Sequence, residues 1–246
     1  FAKDKMITPE QMLEDAGIDY RKKVVARIYK LYMERLRTAN ALDFDDILCK
    51  TVELFDKFPE VLEKYRSRYK YIMVDEYQDT NHVQFRLVSQ LSAGHKNLCV
   101  VGDDDQSIYR FRGANIENIL GFEEQFEGAA VIRLEQNYRS TKTVLDAANS
   151  IISNNMGRKE KSLWTNGEQG EKIIWYKAAD ENDEANFIVK TVKADYEKHG
   201  SYSRNAILYR MNAQSNIVER ALVKADIPYR VYGGMRFYDR KEIKDI

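Results

Sequence analysis

The stretch YIMVDEYQDTN, residues 71–81, sets an apolar run, Tyr71-Ile72-Met73-Val74, directly against two adjacent carboxylates, Asp75 and Glu76. Four apolar residues bounded this sharply read as a buried strand with the two acids at its C-terminal tip. Paired carboxylates at a strand tip are how nucleoside triphosphatases hold Mg²⁺ and orient an attacking water. Downstream, VVGDDDQSIYRFRGA at 100–114 follows a second strand, 98–101. Between the two lies a helix from about Asn81 to Leu91, with Val83, Leu87 and Leu91 as its buried stripe. A strand–helix–strand unit of this length closes as a right-handed parallel crossover. Both strand tips then share one edge, where open α/β sheets bind ligands, and Asp75 and Asp103 face one crevice.

Outward from this unit, residues 8–38 are helical, and Tyr20, Val24, Ile28, Leu31 and Leu36 recur at helical spacing. ALDFDDIL at 41–48 is a helix start, with Asp43 as cap and Asp46 three residues on, near the positive end of the helix dipole. A second α/β passage begins near residue 129. Strand 129–134 leads to a helix from Thr141 to about Asn154, and the polar segment 157–171 is loop. Strands at 172–178, 205–210 and 229–233 alternate with helices at 182–197 and around Ile217, Ala221 and Leu222. This alternation predicts a second parallel sheet, followed by a Gly233-Gly234 turn and a charged tail.

The 246 residues suffice for one large or two ordinary domains. Net charge is zero, which excludes a global basic field, so any nucleic-acid site must be local and lean on aromatic stacking. Cys49 and Cys99 lack metal-ligand spacing and read as reduced, buried thiols. His82, His95 and His199 are isolated, and no metal cluster is expected. No signal peptide or membrane-spanning run is present, so the expectation is a cytoplasmic protein. No Gly-x-x-x-x-Gly-Lys-Ser/Thr phosphate loop occurs, and none of the 12 glycines precedes a lysine.

VDEYQDTN, VVGDDDQSIYRFRGA and LEQNYRS, in that order, closely resemble the motifs of superfamily 1 DNA helicases of the UvrD/Rep/PcrA type. AILYRMN at 206–212 and FYDRKEIKD at 237–245 match further family motifs, so the likeness runs from about Leu42 to the end. The resemblance implies an α/β fold: two partial RecA-like parallel-sheet lobes with an N-terminal helical segment. Residues 1–41 correspond to the end of domain 1B, 42–127 to the later part of 1A, and 128–246 to the first part of 2A. It also implies that the P-loop segment and the C-terminal motifs of the same enzyme lie outside this chain. The chain alone is then expected to be inactive. Phe111 stands where relatives usually carry Trp.

By the same resemblance, Asp75 is a water-mediated Mg²⁺ ligand and Glu76 accepts a proton from, or orients, the hydrolytic water. Gln106 senses the γ-phosphate of ATP. Tyr138 stacks on adenine, and Arg139 reaches the γ-phosphate from the second lobe. Tyr109, Phe111 and Arg112 grip single-stranded DNA, joined by Arg210 and Asn212. Gln78 and Asp79 are less specific, with capping of the following helix as the plain alternative. Arg236, Arg240 and Lys241 form a basic cluster that suits phosphate contact or simple solvation. The implied activity is ATP-dependent 3′→5′ translocation on single-stranded DNA and unwinding at single-strand/duplex junctions, in repair or replication. The alternatives are a single-stranded-DNA-binding module without catalysis and a helicase-like ATPase domain of a nuclease complex.

Overall fold

In the computed structural model, residues 2–159 and 161–232 are described, and the chain forms two compact units, 1–171 and 172–246. The first unit opens with α1 (Pro9–Asp15) and α2 (Tyr20–Thr38). A reciprocal capping box between Thr8 and Gln11, with Pro9 in the first turn, starts α1, and Asp19 caps α2. The buried side of α2 is centred on Ala26, which is 1% exposed, whereas Tyr20, Ile28 and Leu31 of the predicted stripe are exposed. The true face, Ala26 with half-buried Tyr29, Met33 and Leu36, is rotated from the one that hydrophobicity alone selects.

Helix α3 (Phe44–Lys57) begins at the expected cap, where Asp43 and Asp46 each accept the other's backbone N–H. It ends at Phe58, and Pro59 opens α4 (Pro59–Arg68), since a proline cannot continue the preceding hydrogen-bond ladder. Strand β1 (Ile72–Val74) pairs in parallel with β2 (Leu98–Val100), in the register Ile72↔Leu98 and Val74↔Val100. Between them runs α5 (His82–Ser92), capped by Asn81 in a box with Gln84. Buried Cys49 and Val52 of α3 meet Val83 of α5, with Met6, Leu48 and Leu87 packed around them. The short helices α6 (Glu117–Leu120) and α7 (Phe122–Gln125) follow, then α8 (Lys142–Ile152). In the second unit, α9 (Glu181–His199) and α10 (Ser215–Lys224) bury Val192, Leu222 and Ile227 in a common core.

Three expectations need correction. The β1/β2 pair is not buried on both faces: Met73 is 81% exposed, and Cys99 beside it is an exposed thiol, while Cys49 is buried as expected. The second parallel sheet does not form among the described residues. Segments 129–134, 172–178 and 205–210 carry the right residue types, yet Ile132, Trp175 and Leu208 are exposed and only an isolated Gln136–Trp164 bridge links strand-like chain. A strand needs a neighbour for its N–H and C=O groups, and alternation of side chains does not supply one. Gln78 and Asp79 do not cap α5, because Asn81 does. Residue 233, the FYDRKEIKD stretch, and Arg236, Arg240 and Lys241 lie outside the described residues.

Lys3, only 6% exposed, is the least expected part of this unit. Its ammonium lies 2.6 Å from Asp43 and 2.8 Å from Asp46, and over the Tyr32 ring. Burial opposes the charge on Asp43, but hydrogen bonds from Lys3, the Asp46 N–H and Tyr32 more than offset it and lower its pKa to about 2. A carboxyl depressed in the folded state stabilises above its ordinary pKa, and that stabilisation is lost as pH falls through the depressed value. With partial screening it is worth roughly 1–2 kcal/mol. Urea melts should therefore show stability falling between the ordinary carboxylate pKa of 3.8 and about 2. Lys3→Met should remove much of that slope and cost roughly 2–4 kcal/mol at neutral pH, since it strands two carboxylates.

Candidate functional site

The parallel register delivers the exits of β1 and β2 to the same edge, and each exit turns sharply. Glu76 takes the left-handed region, φ +50°, and a tight helical turn, Tyr77–Asp79, follows. Asp75 is exposed, and its carboxylate accepts the Glu76 N–H at 2.9 Å. Tyr77 is fully buried, edge-on to Phe122, and burial pushes its phenol up to about 12. Beyond β2, Gly102 leads into the turn Asp104–Gln106. A Cβ on Gly102 would stand 2.6 Å from Gln78 Oε1 and 2.8 Å from Ile119, so this contact requires glycine.

A cleft of about 520 Å³ opens between these exits, lined by Glu76, Gln78, Asp79, Asp105, Gln106, Ile108 and Tyr109. Glu76, Gln106 and Tyr109 line it together, whereas Asp75 and Asp103, expected to face one crevice, are not among its lining residues. Burial, with the Glu76 charge beside it, raises the Asp79 carboxyl above its ordinary value. The Gln106 amide donates to Asp103 at 2.7 Å.

Next to the cleft, Tyr109, Phe111 and Arg112 form a small platform. The two rings lie 5.9 Å apart, and the Arg112 guanidinium sits 4.7 Å from one centroid and 5.5 Å from the other. Phe111 is 69% exposed, so it is not a core residue. Gly113, at φ +89°, ends the turn, and the Asn115 N–H donates to the Thr80 carbonyl, tying the loop to the β1 exit. Tyr138 and Arg139 stand outside the cleft lining, on a turn where the Asn137 side chain accepts the N–H groups of Arg139 and Ser140. Both side chains are exposed. Arg210 and Asn212 belong to the second unit, also exposed, where the Gln214 side chain accepts the Arg210 N–H.

Asp103, Asp104 and Asp105 bring three carboxylates within 4.8 Å of one another. The protein answers them with its own cations. Arg158 makes a two-pronged pair with Asp105, both bonds 2.7 Å, and Lys161 reaches Asp103, Asp104 at 3.1 Å and Asp105 at 3.3 Å. Arg158 holds the Asp105 carboxyl below its ordinary range, and Asp103 and Asp104 keep Lys161 charged despite burial. Sequence reading passed over both cations as loop, although complementary runs, DDD at 103–105 and Arg158-Lys159, were there to be paired. It also undervalued Gln78, which is 1% exposed.

Acids and amides lining a cleft at the C-terminal edge of a parallel strand pair mark an α/β unit with its candidate site at the strand exits. The model of the UvrD/REP helicase N-terminal domain matches residues 1–127, and that of the UvrD-like helicase C-terminal domain matches 132–246. The chain belongs to the UvrD/REP helicase family. It is 51% identical over 244 residues to the ATP-dependent DNA helicase PcrA of Staphylococcus epidermidis, and 50% identical to that of Staphylococcus aureus. Each match covers 99% of this chain and 33% of the relative, so the chain spans about a third of the length of these relatives. Among the described residues no helix is long and apolar enough to cross a membrane.

Arg158→Ala should destabilise the first unit by roughly 2–4 kcal/mol in urea melts, because it leaves three clustered carboxylates with Lys161 alone. The Asp105 titration, followed by carboxyl NMR, should move upward. Stability held by the depressed carboxyl above its ordinary pKa then vanishes.

Proposed function

We propose that this chain is part of an ATP-dependent 3′→5′ DNA helicase and translocase, with residues 42–127 contributing to one RecA-like lobe, 128–246 to a second, and 1–41 to a helical insertion. The observation that carries the reading is the joint cleft: Glu76 and Gln106 line it, and the Tyr109–Phe111–Arg112 platform leaves it directly. The division of the two family matches between residues 127 and 132 supports the lobe assignment. One short segment then meets nucleotide at Gln106 and single-stranded DNA at Phe111, which ties hydrolysis to strand movement.

Asp75 fits a divalent cation through water, because its carboxylate is exposed at the strand tip and offers hard oxygen donors. Asp103–Asp105 do not fit, since Arg158 and Lys161 already fill that cluster. Mg²⁺ bound with ATP supplies charge neutralisation at the phosphates. Glu76 orients the attacking water and takes its proton. Gln106 meets the γ-phosphate with a neutral amide. Arg139 stabilises the charge that grows there in the transition state, and Tyr138 stacks on the adenine. Arg210 and Asn212 add contacts to the DNA strand, and single-strand/duplex junctions are its substrate. The phosphate loop that the reaction needs is not in this sequence, so the isolated chain binds single-stranded DNA without turning over ATP.

In the full-length enzyme, Glu76→Gln should abolish DNA-stimulated ATP hydrolysis while ATP and DNA binding persist. Loss of nucleotide affinity with preserved turnover would show the role to be misassigned. Phe111→Ala should weaken single-stranded DNA binding by roughly 1–3 kcal/mol in fluorescence titrations. Because the ring is exposed, the same variant should shift stability by no more than about 0.5 kcal/mol. Phe111→Trp should bind at least as well, and a lowered melting point with unchanged DNA affinity would sink the stacking role.

A further inference from the structure

Gln78 joins the two strand exits through both ends of one side chain. Its Nε2 donates to Glu76 Oε2 at 2.7 Å, and its Oε1 accepts the backbone N–H of Asp103 at 2.9 Å. The orientation of the amide is dictated, since a carboxylate only accepts and a backbone N–H only donates. Asp103 in turn accepts the Gln106 amide on Oδ2. A continuous line of hydrogen bonds therefore runs Glu76, Gln78, Asp103, Gln106. Its central member is 1% exposed and pressed against Gly102. A buried amide costs stability unless both of its ends are satisfied, which holds this geometry in place.

We propose that Gln78 is a positioning residue for hydrolysis: it fixes the Glu76 carboxylate by one oxygen and couples its placement to the loop that carries Gln106. This rests on the reading of Glu76 as the residue that activates water. With Oε2 held by Gln78, Oε1 is the Glu76 oxygen left to act on the water in the cleft that this residue lines. Both ends of the Gln78 amide are spent on Glu76 and Asp103, so it acts through Glu76. A shift of the Asp103–Gln106 turn is transmitted to Glu76 through the amide, so γ-phosphate contact and water activation are set together.

The test is steady-state and single-turnover ATP hydrolysis by the full-length enzyme with single-stranded DNA. Gln78→Met removes both bonds at similar volume. Gln78→Glu keeps an acceptor for the Asp103 N–H and removes the donor to Glu76. Both should lower kcat by about tenfold to a hundredfold, the scale of one hydrogen bond to a charged group, with KM for ATP within about threefold. In a Glu76→Gln background, adding Gln78→Met should change the residual rate by less than about twofold, because the two act as one unit. Wild-type kcat in Gln78→Glu would reduce Gln78 to a loop anchor and overturn the proposal. So would a loss that multiplies in the double variant, or one in which KM rises in step with a falling melting temperature. Wild-type turnover in Glu76→Gln alone overturns the reading of Glu76 itself, and the positioning role with it.

Discussion

Parallel pairing of two three-residue strands, Ile72–Val74 with Leu98–Val100, is the constraint on which the site depends. Parallel strands send their C-terminal ends to the same edge, so Asp75 and Glu76 emerge beside Gly102 and Asp103. Strands this short hold few ladder bonds. The pairing is therefore extended past them: Val101 N–H donates to the Val74 carbonyl, Tyr77 N–H to the Val101 carbonyl, and Gln78 closes the gap with its side chain. The cleft and the aromatic platform hang on this joint.

Charge is managed in the same unit by internal cations. Lys3 sits between Asp43 and Asp46, and Arg158 with Lys161 sits among Asp103–Asp105. In both clusters carboxylates would repel one another at close range without a partner, and the partner comes from a distant stretch of chain. The first cluster fastens residue 3 to the start of α3. The second fastens the segment after α8 to the turn that carries Gln106. In the second cluster the cations also offset acidic charge beside the cleft, which Asp105 lines.

Local signals were legible where the physics is local. The Asp43/Asp46 box and the Val83–Leu87–Leu91 stripe follow from neighbours within a few turns of chain, and the parallel β1/β2 unit from two apolar runs joined by one helix. The stripe on α2 differs from the buried face because apolar side chains also occupy exposed positions, and only tertiary packing selects Ala26. The second sheet was over-read from alternation, which describes a strand's faces and says nothing of its partners.

By itself the sequence determined the family, through long motifs in order, and the identity of the acids, amide and aromatics that make up the candidate site. Tertiary structure alone decided which groups touch. Gln78 became the bridge between two strand exits because folding buried its amide between an acceptor on neighbouring Glu76 and a donor on Asp103, 25 residues further along the chain from Gln78. Lys161 became the counter-ion of Asp103 across 58 residues for the same reason. A hydrogen bond or ion pair depends on positions in space to a fraction of an ångström, and separation along the chain does not encode them.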